Sequence, residues 1–247
     1  LGSNIMNVLL ILGLASIICP LAVQKQTRRF EIPFVIFITG LTLVLGYMDG
    51  NIGRVDGIIL FALMLCFLGY LLISAKKGTA SVEEGEGADE NDKMGLLVLL
   101  VIIGGALIVV GSNVTVTSAV VLARTFGMSE RLVGLTIIAF GTSLPELITS
   151  CMAAAKKKAD IAVGNIVGSN IFNLLFVMAI TAIITPLPYG VTFGGAITSG
   201  FLIDNIAAIF AVVLLLICVI NKNKKLMRWG GLLMLISYAG YFVYLIK

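Results

Sequence analysis

Residues 167–187 read VGSNIFNLLFVMAITAIITPL, and they repeat the stretch LGSNIMNVLLILGLASIICPL at positions 1–21. At an offset of 166 residues, 10 of the 21 positions are identical, including the G-S-N-I-x-N core and the final Pro-Leu. A match of this length indicates a duplication. We therefore interpret the chain as two related halves.

The composition around this repeat is that of a membrane protein. Hydrophobic residues make up 59% of the chain and charged residues 12%, with a mean hydropathy of +1.10, whereas soluble domains carry about 25% charged residues. Eight apolar runs are long enough to cross a hydrocarbon core of about 30 Å as helices. The predicted spans are 4–23, 31–48, 55–75, 94–113, 129–155, 159–184, 201–220 and 229–246. We expect an all-α polytopic membrane protein. The sequence contains no His, which excludes His-based catalytic dyads and His metal sites.

The distribution of positive charge predicts the orientation. Loops between successive spans lie on alternate sides of the membrane. The loops on one side hold thirteen of the seventeen Lys and Arg residues, and the segments on the other side hold four. By the positive-inside rule the Lys/Arg-rich side is cytoplasmic and the C-terminus is outside. We expect the plasma (inner) membrane of a prokaryote. The loop 76–93 is then cytoplasmic and strongly acidic, and because it lacks the residue order of an EF-hand, we interpret it as a solvated linker.

The repeat and the linker predict the domain organisation. Residues 1–75 would be the remainder of the first repeat with three helices, 76–93 the linker, and 94–247 a second repeat with five helices. Repeats with an odd number of spans are inverted relative to each other. The second half has 73 residues before its copy of the motif. We therefore expect two further spans upstream of residue 1, eight being present of an inferred ten; a natural eight-span protein is the alternative.

The span 129–155 contains an acidic residue, Glu146, at the end of the motif Gly-Thr-Ser-Leu-Pro-Glu. It is the one acidic residue that we place deep in the membrane. A carboxylate at the bilayer centre costs about 2.5–3.5 kcal/mol on insertion scales. No Lys or Arg lies in the interior of a predicted span, so a bound cation or a proton must compensate the charge. The alternative is a protonated structural Glu hydrogen-bonded to a neighbour.

The residues before Glu146 predict a break in its helix. Pro145 lacks the N–H that would bond to the carbonyl of Gly141. We expect the helix to unwind over Gly141, Thr142, Ser143 and Pro145. Irregular backbone at this depth is tolerated only where it lines a cavity. Free carbonyls and the hydroxyls of Thr142 and Ser143 would then form an all-oxygen site of the kind that Ca²⁺ prefers.

The next span supplies the facing wall. Ser169 and Asn173 are four residues apart, so their side chains lie on one face of a helix. Ser3 and Asn7 repeat this pair in the first half. Small residues one turn apart let helices approach closely. Gly164 and Gly168 are two such residues on this span, and we also expect them to break its helix. A polar helix–helix contact without a ligand is the alternative interpretation.

At these residues the chain resembles the sodium/calcium exchanger family of the calcium/cation antiporter superfamily. The motifs at 141–146 and 164–173 resemble its second alpha-repeat, and G-S-N-I-M-N at 2–7 resembles the end of its first. The resemblance implies a ten-helix fold of inverted repeats and electrogenic exchange of Na⁺ for Ca²⁺, which we expect to proceed by alternating access in the lipid bilayer. It also implies that Glu146 binds both ions. The implied assisting groups are Thr142, Ser143, Ser169 and the Ala139 carbonyl, and Ser3, Asn7 and Asn173 would line the cavity.

Other functions stay open at this point. The first is antiport of Ca²⁺ or another divalent cation against H⁺, although proton-coupled relatives usually carry G-N-x-x-E motifs and a nearby His. Asn173, where some relatives have Asp, leaves K⁺ dependence open. The second is a cation channel, although channels line their pores with rings from several subunits. The third is a membrane hydrolase using Ser143, which would lack a His or buried Lys base. We expect no enzyme activity, no cofactor and no nucleic-acid partner.

Overall fold

Helices make up nearly all of the described chain. The computed structural model describes residues 1–76, 94–127, 130–156, 159–189, 191–193, 196–198, 200–221 and 224–246. The α-helices are α1 Gly2–Met6, α2 Gly13–Ile18, α3 Ile32–Asp49, α4 Arg54–Lys76, α5 Met94–Thr125, α6 Glu130–Val133, α7 Ala139–Ala155, α8 Ala159–Phe172, α9 Met178–Ile184, α10 Gly200–Val219 and α11 Arg228–Ile246. Four π-helical segments adjoin them: Asn7–Leu12, Thr27–Glu31, Gly134–Ile138 and Asn173–Val177.

Five helical stretches within the described residues are long and apolar enough to cross a membrane. They are Thr27–Asp49, Arg54–Lys76, Gly134–Ala155, Ile161–Ile184 and Phe201–Val219. The prediction of an all-α polytopic membrane protein is confirmed. Each of the eight predicted apolar runs falls on a helical stretch, with α5 extending twelve residues beyond its predicted end at 113. The number of membrane crossings stays a prediction.

The two copies of the repeated sequence end their helices in the same way. Cys19 and Thr185 are the first residues after α2 and α9, and both have extended backbone, with φ/ψ of −146°/133° and −139°/120°. A proline follows each of them in the sequence, and its ring disfavours helical backbone in the residue before it. The Pro-Leu of the repeat therefore terminates both helices.

The predicted break at Gly141–Pro145 is wrong. α7 runs without interruption from Ala139 to Ala155 with Pro145 inside it. A proline in a helix forfeits one backbone hydrogen bond, whereas unwinding a turn inside a membrane would expose several polar groups to an apolar medium. The irregular backbone lies just before α7, where Gly134–Ile138 is π-helical.

Short antiparallel strand pairs join the connections between helices. β1 Leu21–Ala22 pairs with β6 Lys225–Leu226, and β2 Asn51–Ile52 pairs with β3 Leu187–Pro188. A third pair joins β4 Val191–Phe193 to β5 Ala196–Thr198. An all-α prediction does not anticipate these pairs, which form because backbone groups outside helices also require hydrogen-bond partners.

Close helix packing involves glycines other than those predicted. A Cβ added at Gly231 of α11 would meet the Ser16 side chain and, at 2.7 Å, the carbonyl oxygen of Gly13. α2 and α11 therefore approach each other through small residues, as membrane helices commonly do. At Gly164 and Gly168 an added Cβ would have no atom of a described residue within 4 Å, and α8 continues through both. The predicted helix break at these glycines is therefore wrong, and among the described residues no close helix contact occurs at them.

The chain divides into two compact units. One consists of Leu1–Cys66 and Ser143–Lys247, and the other of Phe67–Thr142. Parts of both predicted halves therefore belong to the first unit. The predicted linker 76–93, apart from Lys76, lies outside the described residues, and the predicted domain boundaries stay a prediction.

Candidate ion site at the crossing of the repeated helices

Glu146 of α7 is half-buried and contacts Ser169 of α8. The Ser169 hydroxyl donates to Glu146 Oε1 at 2.9 Å. Among the described residues, no Lys or Arg pairs with this carboxylate. A carboxylate in a membrane helix with a single hydroxyl partner keeps most of its acceptor capacity.

Asn7 lies next to Ser169, at the first residue of its π-helical segment. Its Nδ2 donates to Ser169 Oγ at 3.5 Å and to Asn170 Oδ1 at 3.0 Å. Asn7 is fully buried, yet its Oδ1 has no hydrogen-bond partner among the described residues. A buried amide oxygen without a partner is costly, and this oxygen is free to accept a hydrogen bond or to contact a cation.

The second half contributes the same arrangement. Asn173 Nδ2 donates to Ser3 Oγ at 3.4 Å and to Asn4 Oδ1 at 3.0 Å. Adding 166 to the residues of one set gives the other, so Asn7 corresponds to Asn173 and Ser3 to Ser169. The hydrogen bonds therefore repeat the sequence symmetry.

A reciprocal pair of asparagines joins the two sets. Asn4 Nδ2 donates to the main-chain oxygen of Asn170 at 3.3 Å, and Asn170 Nδ2 donates to the main-chain oxygen of Asn4 at 3.2 Å. Both side chains are buried. A pair of segments that exchange equivalent contacts is related by a local two-fold axis, which here passes between α1 and α8.

Five of the predicted ligands thus come together: Glu146, Ser169, Asn173, Ser3 and Asn7. Ser143 is buried on α7, three residues before Glu146, and helical residues at this spacing share a face.

Ala139 and Thr142 belong to the second compact unit. Within it, the Thr142 hydroxyl donates to the main-chain oxygens of Ile138 at 3.0 Å and Ala139 at 3.1 Å. These two predicted oxygen ligands therefore contact each other. Gly141 in the same unit lies against Val116, where an added Cβ would collide with the valine side chain, so it permits close packing rather than a break.

Sequence reasoning missed several buried polar residues. Asn4 and Asn170 stand in the repeated motif, and their identity in both copies was an available signal. Ser150, one turn after Glu146 on α7, is fully buried, and its hydroxyl has no partner within the described ranges.

Sequence reasoning also passed over a second acidic residue within a predicted span, and the depth of Glu146 in the membrane stays a prediction. Asp204 of α10 is fully buried and accepts a hydrogen bond from the Tyr241 hydroxyl at 3.0 Å. The neighbouring Asn205 is also fully buried, and its amide lies 2.9 Å from the Tyr189 hydroxyl. Asp204 falls inside the predicted span 201–220, so its position in an apolar run was the signal.

The donor set determines the chemistry that the site can perform. Carboxylate, hydroxyl and amide oxygens converge, and within the described residues no group of three or more His, Cys, Asp or Glu occurs. Oxygen ligands suit hard cations such as Ca²⁺, Mg²⁺ and Na⁺ rather than soft transition metals.

Comparison with known proteins gives a consistent family. The family model "Sodium/calcium exchanger protein" matches residues 1–73 and 96–247. The inner membrane protein YrbG of Escherichia coli is 42% identical over 192 residues, which are 75% of this chain and 59% of that protein. An uncharacterized membrane protein of Methanocaldococcus jannaschii is 33% identical over 239 residues, covering 96% of this chain and 72% of the relative.

A solved structure has the same fold. The sodium-calcium exchanger NCX_Mj, soaked with Na⁺ and Sr²⁺, matches with a TM-score of 0.72 and 29% identity over 98% of this chain and 73% of its own. The chain thus spans about three-fifths to three-quarters of the length of these relatives. With its helices, its repeated motifs and this match over nearly its whole length, the chain is an integral membrane protein that belongs to the sodium/calcium exchanger family.

Proposed function

We propose that this protein is an antiporter that exchanges Na⁺ for Ca²⁺ by alternating access. The two ions would bind in turn at the oxygen site of Glu146, Ser143, Ser169, Asn7 and Asn173, with Ser3 lining the cavity. Ala139 and Thr142 stay predicted ligands from the sequence motif.

The observation that carries this proposal is the environment of Glu146. Its carboxylate has a hydroxyl partner and no cationic side chain among the described residues, and an unpartnered amide oxygen lies nearby at Asn7. Both features are unfavourable without a cation. Either Ca²⁺ or Na⁺ would supply the missing positive charge.

The strand pairs support an inverted relation between the halves, an arrangement on which many alternating-access transporters are built. The pair Leu21–Ala22 with Lys225–Leu226 repeats as Leu187–Pro188 with Asn51–Ile52. β1 precedes the stretch Thr27–Asp49 and β2 follows it, and this 23-residue stretch is about 34 Å long. Equivalent pairs therefore lie at opposite ends of a membrane-length helix, as an axis in the membrane plane demands.

The same pairs support the predicted sidedness. β1 and β6 belong to connections that the positive charges place in the cytoplasm, and β2 and β3 belong to connections placed outside. Connections can pair only when they lie on one side of the membrane. We therefore propose that the Lys/Arg-rich connections and the linker 76–93 are cytoplasmic and that the C-terminus is outside.

Na⁺ is the proposed driving ion because the likeness to the sodium-calcium exchanger NCX_Mj extends over 98% of this chain. Exchange against H⁺ is the second candidate, since a proton could also neutralise Glu146. Vesicles loaded with Na⁺ should take up radioactive Ca²⁺ when diluted into Na⁺-free buffer. In vesicles without Na⁺, a H⁺ gradient with the same inside-to-outside concentration ratio should drive little Ca²⁺ uptake. Uptake driven equally by the pH gradient would contradict the proposal of Na⁺ coupling.

Glu146→Gln tests the site itself. The amide keeps the shape of the side chain but carries no charge, so Na⁺-driven Ca²⁺ uptake should fall to the level of vesicles without the protein. Glu31→Gln is the matched control, because Glu31 precedes α3 and bonds to Gln26 outside the site. Normal uptake by Glu146→Gln would refute the role of this carboxylate.

A further inference from the structure

We infer that Asn170 and Asn4 are positioning residues that fix which atom of the Asn7 and Asn173 amides faces the transported cation. This inference rests on the proposed function and adds to it two residues that do not themselves bind the ion. Their role is to turn the side-chain oxygen of Asn7 and Asn173, rather than the nitrogen, toward the cation.

The orientation begins with the reciprocal bonds. The nitrogen of Asn170 is engaged by the main-chain oxygen of Asn4, and the nitrogen of Asn4 by that of Asn170. With each nitrogen directed at the facing main-chain oxygen, the Oδ1 of each side chain lies toward Asn7 or Asn173 instead. Those oxygens can accept hydrogen bonds and cannot donate them.

An acceptor in a buried position selects a donor. The Oδ1 of Asn170 lies 3.0 Å from Asn7 Nδ2, and the Oδ1 of Asn4 lies 3.0 Å from Asn173 Nδ2. Rotating the Asn7 amide by 180° would place two oxygens against each other, which is repulsive, so the nitrogen stays toward the helix crossing. The Asn7 oxygen is thereby left buried without a partner among the described residues, available to a cation.

The substitution Asn170→Leu, made once in the wild-type chain and once together with Asn7→Asp, tests this role. Asn170→Leu removes the acceptor and frees the Asn7 amide to rotate, so the Ca²⁺ dissociation constant should rise about tenfold, as for loss of a contact to a charged group. In an Asn7→Asp background both side-chain atoms are oxygens, and orientation no longer matters. There Asn170→Leu should leave the dissociation constant unchanged or lower it, since it removes an oxygen–oxygen contact.

The measurement is equilibrium Ca²⁺ binding by calorimetry on the purified chain, together with the KM and kcat of Ca²⁺ uptake. Asn205→Leu is the matched control, because Asn205 is an equally buried asparagine that contacts Tyr189 instead of Asn7; its Ca²⁺ affinity should not change. If Asn170→Leu does not fold, the symmetric set Asn4→Leu and Asn173→Asp provides the same test.

The outcomes separate the two proposals. Equal weakening by Asn170→Leu in the wild-type and Asn7→Asp backgrounds would overturn the positioning role and leave the exchange function intact. Wild-type protein that binds Ca²⁺ but transports it without regard to Na⁺ would overturn only Na⁺ exchange. Wild-type protein that binds no Ca²⁺ would overturn both.

Discussion

Ser169 shows how much one hydroxyl contributes at the scale of single residues. It donates to Glu146 at 2.9 Å and lies 3.5 Å from Asn7 Nδ2, so it connects the carboxylate to the amide. Ser169→Ala should raise the KM for Ca²⁺ about tenfold, because a hydrogen bond to a charged group contributes more than one between neutral groups. Initial rates of Ca²⁺ uptake over a range of Ca²⁺ concentrations measure this change.

The control for Ser169→Ala is another serine in a helix. Ser237 of α11 bonds to the main-chain oxygen of Leu233 at 2.8 Å, outside the site. Ser237→Ala should leave the KM within about twofold, the scatter expected for substitutions away from a site. A similar rise in both variants would show that the effect of Ser169→Ala comes from general loss of packing.

The sequence motif predicts five polar residues that the structure brings together, but it does not predict their pairing. Charge in an apolar span predicts Glu146, and spacing after Ser3 and Ser169 predicts Asn7 and Asn173. Spacing on one helix does not reveal which atoms meet across a crossing of two helices, so the asparagine pair of Asn4 and Asn170 is missed. The buried aspartate of α10 is missed because the charge of a span is judged at its centre, and this residue lies near the start of its helix.

At the scale of helices and strands, apolar runs predict positions well and irregularities poorly. The runs fix helix positions because a buried helix satisfies its own backbone groups. In place of the break predicted at Pro145, α7 is uninterrupted, with π-helical backbone in Gly134–Ile138 before it. The segments that begin at Asn7 and Asn173 are also π-helical. A π-helical turn adds a residue without unpairing the backbone, and such turns are frequent at functional sites.

The packing of α2 on α11 gives a prediction at this scale. Gly231→Ala places a methyl group against Ser16 and the Gly13 oxygen, and overpacking of this kind costs about 1–3 kcal/mol. The variant should therefore unfold at a lower temperature in detergent, as followed by circular dichroism. Gly240→Ala on the same helix is the control, since a Cβ there would meet no atom within 4 Å in the described part of the chain. Equal melting temperatures for the two variants would contradict the described contact.

At the scale of the whole molecule, the ion should stabilise the fold that forms its site. A ligand that binds only the folded state, at a concentration 100 times its dissociation constant, raises the free energy of unfolding by about 2.7 kcal/mol. Ca²⁺ should therefore raise the melting temperature of the wild-type chain, and Mg²⁺ should do so less, because Mg²⁺ demands a tighter octahedral geometry. Glu146→Gln should abolish the Ca²⁺ effect. A Ca²⁺ effect that survives this substitution would indicate binding elsewhere, for example near Asp204.

Obligatory exchange is the property that separates an antiporter from a channel. An empty site would carry the uncompensated charge of Glu146 through an apolar barrier, which is costly, so the protein should change its exposed side only when loaded. Vesicles without Na⁺ or Ca²⁺ inside should therefore take up almost no radioactive Ca²⁺, even down a steep gradient. Unlabelled Ca²⁺ inside should restore uptake as well as Na⁺ does, and Na⁺ added outside should raise the KM for Ca²⁺ without lowering the maximal rate, because both ions require the same oxygens. Rapid uptake into vesicles that hold neither ion would instead establish a channel.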